Sequence, residues 1–436
     1  MMGKAKIRVA FLAFALLGLA LTARAVDKQT ALLIDKEIEK HIIEIIKIRR
    51  FLHMNPELSN REYQTGKLIA SKLISWGLEV TTGIAKTGVT ALLKGSEEGL
   101  TVALRADIDA LPIQELADVP YKSLNPGVMH ACGHDIHTSI ALGVAFVLNN
   151  LKAQMKGNIK FIFQPAEEGP PPGEEGGAAL MIKEGALDNP PVRAIFALHV
   201  WPQDLGQVFF SPGPILAAAD RFQISIKGKS SHAARPYEGI DAITLAAQVI
   251  VSIQSIISRM VDPHDPAVIN IGKIQGGTKA NIVADEVHLE GTIRTLSEVN
   301  RKRIPKLIEN IVRGITEAFG AQYSFNFLPG TPPVYNHPEL AKLMLPTLTH
   351  LLGENNIKDI RPQLVAEDFA YYCQKIPGFY FFLGVKNPQQ ETMAPLHSPY
   401  FNPDERSISL GIKIMCHLLL DCLQHQTTLV ENNSLF

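Results

Sequence analysis

The stretch TVALRADI, residues 101–108, is an apolar run that ends in charged side chains, and a helical pattern and a second apolar run follow it. The helical pattern is TSIALGVAFVLNNL at 138–151, and the second run is NIKFIFQP at 158–165. This order favours two parallel strands joined by a crossover helix. TALLKG at 90–95 and AIFALHV at 194–200 extend the pattern. The sequence therefore predicts an α/β domain with a mostly parallel central sheet, whose binding crevice lies beyond the carboxyl ends of the strands.

The pattern changes near Ala219, where RFQISIKGKSSHAARP (221–236) begins as a strand with alternating faces. A long helix over 240–260, two strands, a charged helix over 297–319 and a last strand follow. This order is typical of a small α+β sandwich, and the earlier pattern returns after it. We therefore predict an insertion in a discontinuous larger domain. The predicted bounds are 26–218 for the first part of the larger domain, 219–328 for the insertion and 329–436 for the second part.

The N-terminus has the layout of an export signal. MMGKAKIR at 1–8 is basic, VAFLAFALLGLALTA at 9–23 is largely apolar, and the small residues of ARA precede Val26. This pattern predicts a signal peptide over residues 1–25, cleaved after Ala25, and a protein that is exported to the periplasm or secreted. The alternative is a retained membrane anchor, although the apolar run is short for a span. After cleavage we expect no stable membrane association.

Overall charge points to a small-molecule partner. The 436 residues include 42 basic and 43 acidic side chains, for a formal net charge of -1. A chain so balanced has no excess of positive charge for nucleic acid, and none is predicted as a partner. The chain is also too long for one compact core, which agrees with two domains.

Metal-binding side chains are concentrated in HACGHDIH, residues 130–137, and recur at the ends of later strand patterns. Cysteine, histidine and carboxylate together suit zinc, manganese, cobalt or nickel better than calcium or magnesium. Five ligands are more than one catalytic zinc takes from protein, so two metals that share a ligand are predicted, with the Cys132 thiolate or a water as the bridge. The candidate ligands are Cys132, His134, Glu168, His199 and His397.

Glu167 is adjacent to a candidate ligand but is left free, so it is the candidate general base. Each residue also has an ordinary explanation. A single histidine at a strand end is usually hydrogen-bonded or solvent-facing, and paired glutamates usually lie on a solvated face. Cys132 could instead be a nucleophile paired with a histidine, but that reading does not explain the acids that accompany it. His130 and His137 are predicted to be support or surface residues.

RADIDALP, residues 105–112, ends a predicted strand and supplies Asp107 and Asp109. These acids either mark a charged turn or hold a ligating histidine in orientation. The remaining cysteines are predicted to be buried free thiols; they are Cys373, Cys416 and Cys422.

Nine motifs occur in an order that resembles the M20 family of metallopeptidases. The resemblance is to its amidohydrolase branch, which contains hippurate hydrolases, N-acyl-amino-acid amidohydrolases and plant indole-3-acetic acid conjugate hydrolases. It covers nearly all of the chain after residue 25. The motifs are LHMNPELSNRE, RADIDALP, HACGHDIH, QPAEEG, HVWP, GKSSHAARP, GGTKANIVADEVHLEGTIR, AEDFAYY and LHSPYF.

The resemblance implies a metallopeptidase-like catalytic domain with two divalent metal ions, often manganese, bound by the five candidate ligands. It makes Glu167 the general acid and base. Cys132 stands where the wider family has a bridging aspartate. Arg105 stands where the family has its first metal histidine, which leaves Asp107 as a support residue of the catalytic group.

The insertion resembles the family's lid or dimerisation domain. By this resemblance His232 polarises the substrate carbonyl, while Asn281 and Arg294 contact the substrate carboxylate. A guanidinium group suits a carboxylate, but a turn amide and a surface strand charge remain equal alternatives for these two residues. Pairing of lids in some relatives also allows a homodimer.

The resulting functional prediction is a metal-dependent amidohydrolase that cleaves N-acyl amino acids to a carboxylic acid and a free amino acid. The acyl group is acetyl, benzoyl or arylacetyl. Glu167 is expected to take a proton from water and to deliver it to the departing amine. The alternatives are a dipeptidase, an N-acetyl-diaminopimelate deacetylase and, in another class, a catalytically silent protein that binds metal or ligand.

Overall fold

The computed structural model describes residues 26–425. The predicted signal peptide over residues 1–25 lies outside the described residues. The helices are α1 (Lys28–Met54), α2 (Tyr63–Ser75), α3 (His134–Asn150), α4 (Gly177–Lys183), α5 (Ala242–Arg259), α6 (Glu298–Ala318), α7 (Pro338–Leu352), α8 (Ala370–Cys373) and α9 (Arg406–Gln424). The first seven strands are β1 (Glu79–Ile84), β2 (Gly88–Lys94), β3 (Glu97–Asp107), β4 (Lys156–Gln164), β5 (Val192–Asp204), β6 (Val208–Phe210) and β7 (Gly213–Leu216). The others are β8 (Ala218–Lys227), β9 (Ala267–Gly276), β10 (Glu286–Thr295), β11 (Gln322–Thr331), β12 (Val334–Asn336), β13 (Ile357–Asp359) and β14 (Gly378–Lys386).

The larger sheet has the order β1-β2-β4-β3-β5-β14-β6-β13 within residues 26–425. Its four central strands β4, β3, β5 and β14 are parallel to one another. The pairs β1–β2, β2–β4 and β14–β6 are antiparallel. The central strands are almost continuously buried, as expected for a parallel sheet that is covered on both faces. The predicted α/β class with a mostly parallel central sheet is confirmed.

Helices α1, α3 and α9 pack together and cover this sheet. Two glycines allow α3 and α9 to approach closely. A Cβ added at Gly143 would lie 2.3 Å from Ile412 Cδ1, and one added at Gly411 would lie 2.4 Å from Ile140 Cδ1. Since α3 begins at His134, this packing fixes the helix that carries a candidate ligand.

A second, antiparallel sheet has the order β11-β8-β10-β9. Its strands alternate between buried and exposed residues, and α5 and α6 cover the buried face. This sheet has a hydrophobic core of its own, centred on residues such as Phe222, Ile253 and Ile308. It occupies residues 218–331, the part of the chain in which the sequence predicts the insertion.

Two of the described helices, α5 and α9, are long and apolar enough to cross a membrane by length and composition alone. Helix α9 is mostly buried in the core of the larger sheet. Helix α5 packs one face on the second sheet and exposes Ile243 and Val251 on the other. Both helices are therefore placed as parts of a globular fold.

Candidate metal centre and active site

The candidate site lies at the carboxyl ends of the parallel strands β3, β4 and β5. β3 ends at Asp107 and β4 at Gln164, and a short turn after β4 carries Glu167 and Glu168. His199 lies within β5. This is the edge at which open α/β sheets bind their ligands.

The structure brings the five candidate ligands into two donor groups that share Cys132. One group is Cys132, His134 and His199, and the other is Cys132, Glu168 and His397. Within each group the donor atoms lie within 4.8 Å of one another. Cys132 Sγ is 3.3 Å from His199 Nε2 and 3.2 Å from His397 Nε2. Such an arrangement can hold two ions around one thiolate.

Local backbone conformation aims these donors. Gly133 has φ 85°, and a Cβ there would lie 2.4 Å from Val200 Cγ2, so glycine allows the chain to turn between Cys132 and His134. His397 has φ 62°, and its N–H donates to Ala131 O over 2.9 Å. The loop near the C-terminus is thereby joined to the loop that carries Cys132.

Hydrogen bonds orient both histidines of the first donor group. His134 Nδ1 is 3.1 Å from Asp109 Oδ1, and His199 Nδ1 donates to Val200 O over 2.7 Å. Each bond leaves Nε2 for another partner. His134 Nε2 is buried and has no hydrogen-bond partner among residues 26–425. An orphaned imidazole nitrogen beside a cysteine and a carboxylate fits a transition-metal ion.

Asp107 contacts a histidine that is not one of the candidate ligands. Its Oδ1 is 2.6 Å from His137 Nδ1 and 3.8 Å from His134 Nδ1. His137 Nε2 in turn accepts a hydrogen bond from Val200 N over 2.9 Å. Asp107 therefore supports the β5 backbone beside His199, whereas Asp109 contacts the ligand candidate His134 directly.

A buried arginine lies behind Glu167. Arg105 donates to Asp107 over 2.8 Å, and its Nη2 lies 2.9 Å from Glu367 Oε1 and 3.0 Å from Asp368 Oδ1. Carboxylate oxygens of Glu167, Glu367 and Asp368 also lie within 4.8 Å of one another. Burial, together with the Glu367 and Glu168 carboxylates, raises the pKa of Glu167 well above its usual range. The sequence assigned no role to Glu367 and Asp368, although AEDFAYY was one of the recognised motifs.

A cavity of about 780 Å³ opens above the donor groups. Trp201 and Phe382 form an aromatic wall, with ring centroids 4.4 Å apart, and Phe382 lies opposite His199 in the sheet. Arg294 and Thr292 of the second sheet line the same cavity.

His232 and Asn281 lie elsewhere. Both are exposed on the second sheet's loops, where Ala233 N donates to Asn281 O over 3.1 Å. Neither contributes to the cavity lining that the structure describes.

The family model for peptidase family M20/M25/M40 matches residues 103–421, which include all of the donor groups. The chain belongs to this family. It is 44% identical over 297 residues to the N-acyl-L-amino acid amidohydrolase of Geobacillus stearothermophilus, covering 68% of this chain and 79% of that protein. It is 38% identical over 375 residues to the IAA-amino acid hydrolase ILR1-like 4 of Arabidopsis thaliana, covering 85% and 83%.

A solved relative supports the same placement within the M20 family. The crystal structure of the Bacillus subtilis YXEP protein, described as a dinuclear metal-binding peptidase of the M20 family, superimposes with a TM-score of 0.75 at 35% identity. The match covers 88% of this chain and 99% of that one. The predicted family is thus confirmed by both sequence and fold.

The sharing of Cys132 by both donor groups leads to a prediction about metal content. We expect Cys132→Ala to weaken divalent-metal binding by more than about 10-fold and to lower activity with it, because each group loses a donor. Metal bound per chain is measured by elemental analysis after equilibration with Mn²⁺. Cys373→Ala is the matched control, since Cys373 is also a buried free thiol but belongs to neither group. Full binding of two ions by Cys132→Ala would contradict the shared-ligand assignment.

Proposed function

We propose that the protein is a metal-dependent amidohydrolase that cleaves N-acyl amino acids to a carboxylic acid and a free amino acid. The observation that carries the proposal is the pair of donor groups sharing Cys132, with Glu167 beside them at the base of one cavity. The names of relatives as N-acyl-L-amino acid amidohydrolase and IAA-amino acid hydrolase support the same chemistry.

We propose two divalent ions, manganese in the first place, with zinc, cobalt or nickel as alternatives. Cys132, His134 and His199 would hold one ion, and Cys132, Glu168 and His397 the other. When bound, the ions supply Lewis acidity to the amide carbonyl and lower the pKa of water. The description of the YXEP protein as dinuclear supports the number of ions.

Glu167 is proposed as the general base and acid. Its Oε2 lies 3.9 Å from His134 Nε2, so the carboxylate borders the donor groups without belonging to the two that share Cys132. The neighbouring acids that raise its pKa favour its protonated form. The ionised carboxylate is then a stronger base toward water, and once it has taken that proton it can deliver the proton to the departing amine.

The walls of the cavity suggest how the substrate lies. Trp201 and Phe382, next to the donor groups, offer an apolar face for the acyl group. Arg294 on the second sheet offers a guanidinium group for the carboxylate of the amino acid. This orientation would set the amide bond between the two walls, above Glu167.

We also propose a homodimer through the second sheet. β9 is an edge strand with exposed Val268 and Ile274, and α5 exposes Ile243 and Val251 beside it. His232 and Asn281 lie outside the cavity. Their predicted contacts with substrate would require either the second sheet of a partner copy or a rotation of the second sheet within the same chain.

We propose that residues 1–25 direct export of the chain and are cleaved after Ala25. Cleavage after Ala25 would make Val26 the first residue, and Val26 is buried against the core.

Loss of metal and loss of Glu167 should have separable effects. We expect a chelator to abolish hydrolysis of N-acetyl and N-benzoyl amino acids and Mn²⁺ to restore it. Glu167→Gln should keep its metal but lower kcat by about 10² to 10⁴-fold, the usual contribution of a general base. Glu175→Gln, a change at an exposed acid of the same loop, is the control. Unchanged turnover after metal removal would exclude the proposed function.

The aromatic wall predicts substrate preference. Trp201→Ala should lower kcat/KM for N-benzoyl and indoleacetyl amino acids by on the order of 10-fold or more, with a smaller effect on N-acetyl substrates. The ratio of the two kcat/KM values is the measurement. Trp76→Ala, at the other tryptophan, removes a ring that packs on Phe146 outside the cavity and should leave this ratio unchanged. An equal loss of kcat/KM for all substrates would show that the acyl group does not contact Trp201.

The proposed dimer predicts an effect of surface charge. Val251→Lys should shift the mass in solution from dimer to monomer, because it places a charge in the apolar face of α5. Val299→Lys is a matched control, since both valines are 73% exposed and Val299 lies on α6. Sedimentation of both variants and the wild type decides the question. A wild-type monomer would refute the dimer.

A further inference from the structure

A buried carboxylate outside the cavity holds the turn that carries Glu167. Glu62 lies at the start of α2, is fully buried and does not line the cavity. Its Oε1 accepts a hydrogen bond from Ala166 N over 2.9 Å, and its Oε2 accepts one from Thr87 Oγ1 over 2.6 Å. The residue thus joins α2 and the segment before β2 to the turn after β4.

Ala166 has an unusual backbone conformation. Its φ is 54°, in the left-handed region that alanine adopts rarely because its Cβ approaches the backbone. Such a conformation persists when surrounding contacts hold it in place. The hydrogen bond from Ala166 N to Glu62 is a contact of this kind, and the residue that follows is Glu167.

The other end of the turn has a separate anchor. Glu168 N donates to Asp109 Oδ2 over 3.1 Å, and Ser59 Oγ donates to the same oxygen over 2.8 Å. Asp109 therefore fixes Glu168, a candidate ligand, while Glu62 fixes Ala166. Glu167 lies between these two anchors, and its direction depends on both.

We infer that Glu62 is a positioning residue, which holds the left-handed turn at Ala166 and so aims the Glu167 carboxylate at the reacting atoms. This inference rests on the proposed function, in which Glu167 is the general base. Burial and the nearby Asp109 raise the pKa of Glu62 to about 7. Either protonation state leaves an oxygen to accept the Ala166 N–H, so the anchor does not need the charge.

We therefore expect a glutamine at position 62 to preserve the function of Glu62, and an apolar residue to lose it. Glu62→Gln keeps an acceptor for Ala166 N, and its amide can donate to Thr87 Oγ1. Glu62→Leu keeps most of the volume but removes both acceptors. We expect kcat of Glu62→Leu to fall on the order of 10 to 100-fold with little change in KM, since a small misplacement of a catalytic group has effects of this size. Glu62→Gln should stay within about threefold of the wild type.

A second substitution separates positioning from packing. Glycine adopts the left-handed conformation without strain, so Ala166→Gly should restore a large part of kcat when it is added to Glu62→Leu. A packing defect at residue 62 would not be repaired in this way. Glu57→Ala is the matched control, because Glu57 lies in the same loop and accepts hydrogen bonds from Gln64 N and Thr65 N of α2. It should change the melting temperature more than kcat.

The experiment measures kcat, KM and bound metal for each variant, with Mn²⁺ in excess and the N-acyl amino acid that the wild type cleaves fastest. If Glu62→Leu does not fold, Thr87→Val is used in its place. It removes the hydroxyl that orients Glu62 and should lower kcat, but by less than we expect for Glu62→Leu. The inference is overturned by an unchanged kcat, by no recovery in the double variant, or by a loss of metal that accounts for the loss of activity. A wild type without amidase activity, or a fully active Glu167→Gln, would instead refute the proposed function.

Discussion

Buried negative charge is the constraint on which this site depends. Glu167, Glu367 and Asp368 lie within 4.8 Å of one another, and Arg105 is the buried cation that contacts the last two. Carboxylates this close are costly away from water unless cations balance them. Arg105 provides such balance behind Glu167, and the donor groups in front offer places for more. The fold therefore creates an electrostatic demand for cations at the position where the reaction would occur.

The same buried negative charge affects the thiol of Cys132. Burial and the Glu168 and Glu167 carboxylates raise the pKa of its thiol well above the usual range. Without a cation the sulfur would thus keep its proton and be a poor nucleophile. A metal ion stabilises the thiolate, so metal binding must release a proton. This coupling favours the role of shared ligand over that of nucleophile, and it explains why a cysteine in a chain proposed to be exported can avoid disulfide exchange.

Three left-handed backbone conformations lie beside the same donors. Gly133, Ala166 and His397 all have positive φ values, and each lies at or next to a donor or the proposed base. Glycine adopts this conformation without strain, whereas at Ala166 and His397 it persists because the surrounding structure determines it. Here the determinants are specific: Val200 crowds Gly133, Glu62 binds Ala166 N, and the N–H of His397 binds the loop of Cys132.

The sequence predicted the class of the fold, the candidate donors and an acid that could orient a histidine, but not the long-range contacts behind them. Alternating apolar runs and helical patterns are local features, and HACGHDIH and QPAEEG are compact motifs. The bond from Glu62 to Ala166 spans 104 positions, and Arg105 meets Glu367 across 262, so no local pattern reveals them. His232 was placed at the site by resemblance alone, and the orientation of an inserted domain depends on long-range packing that a linear pattern does not contain.

The two parts of the cavity must also keep their relative positions, because Trp201 belongs to the larger sheet and Arg294 to the second. The junction between the sheets contains a buried Asp220, whose carboxylate accepts two hydrogen bonds from Arg301 of α6, each over 3.0 Å. Gly330, where the chain returns to the larger domain, donates to Asp220 Oδ1 over 2.8 Å and accepts from Arg301 over 2.7 Å. A partly buried bidentate pair adds more geometric specificity than stability. Asp220 and Gly330 themselves line the cavity, so this network shapes the wall that also carries Arg294.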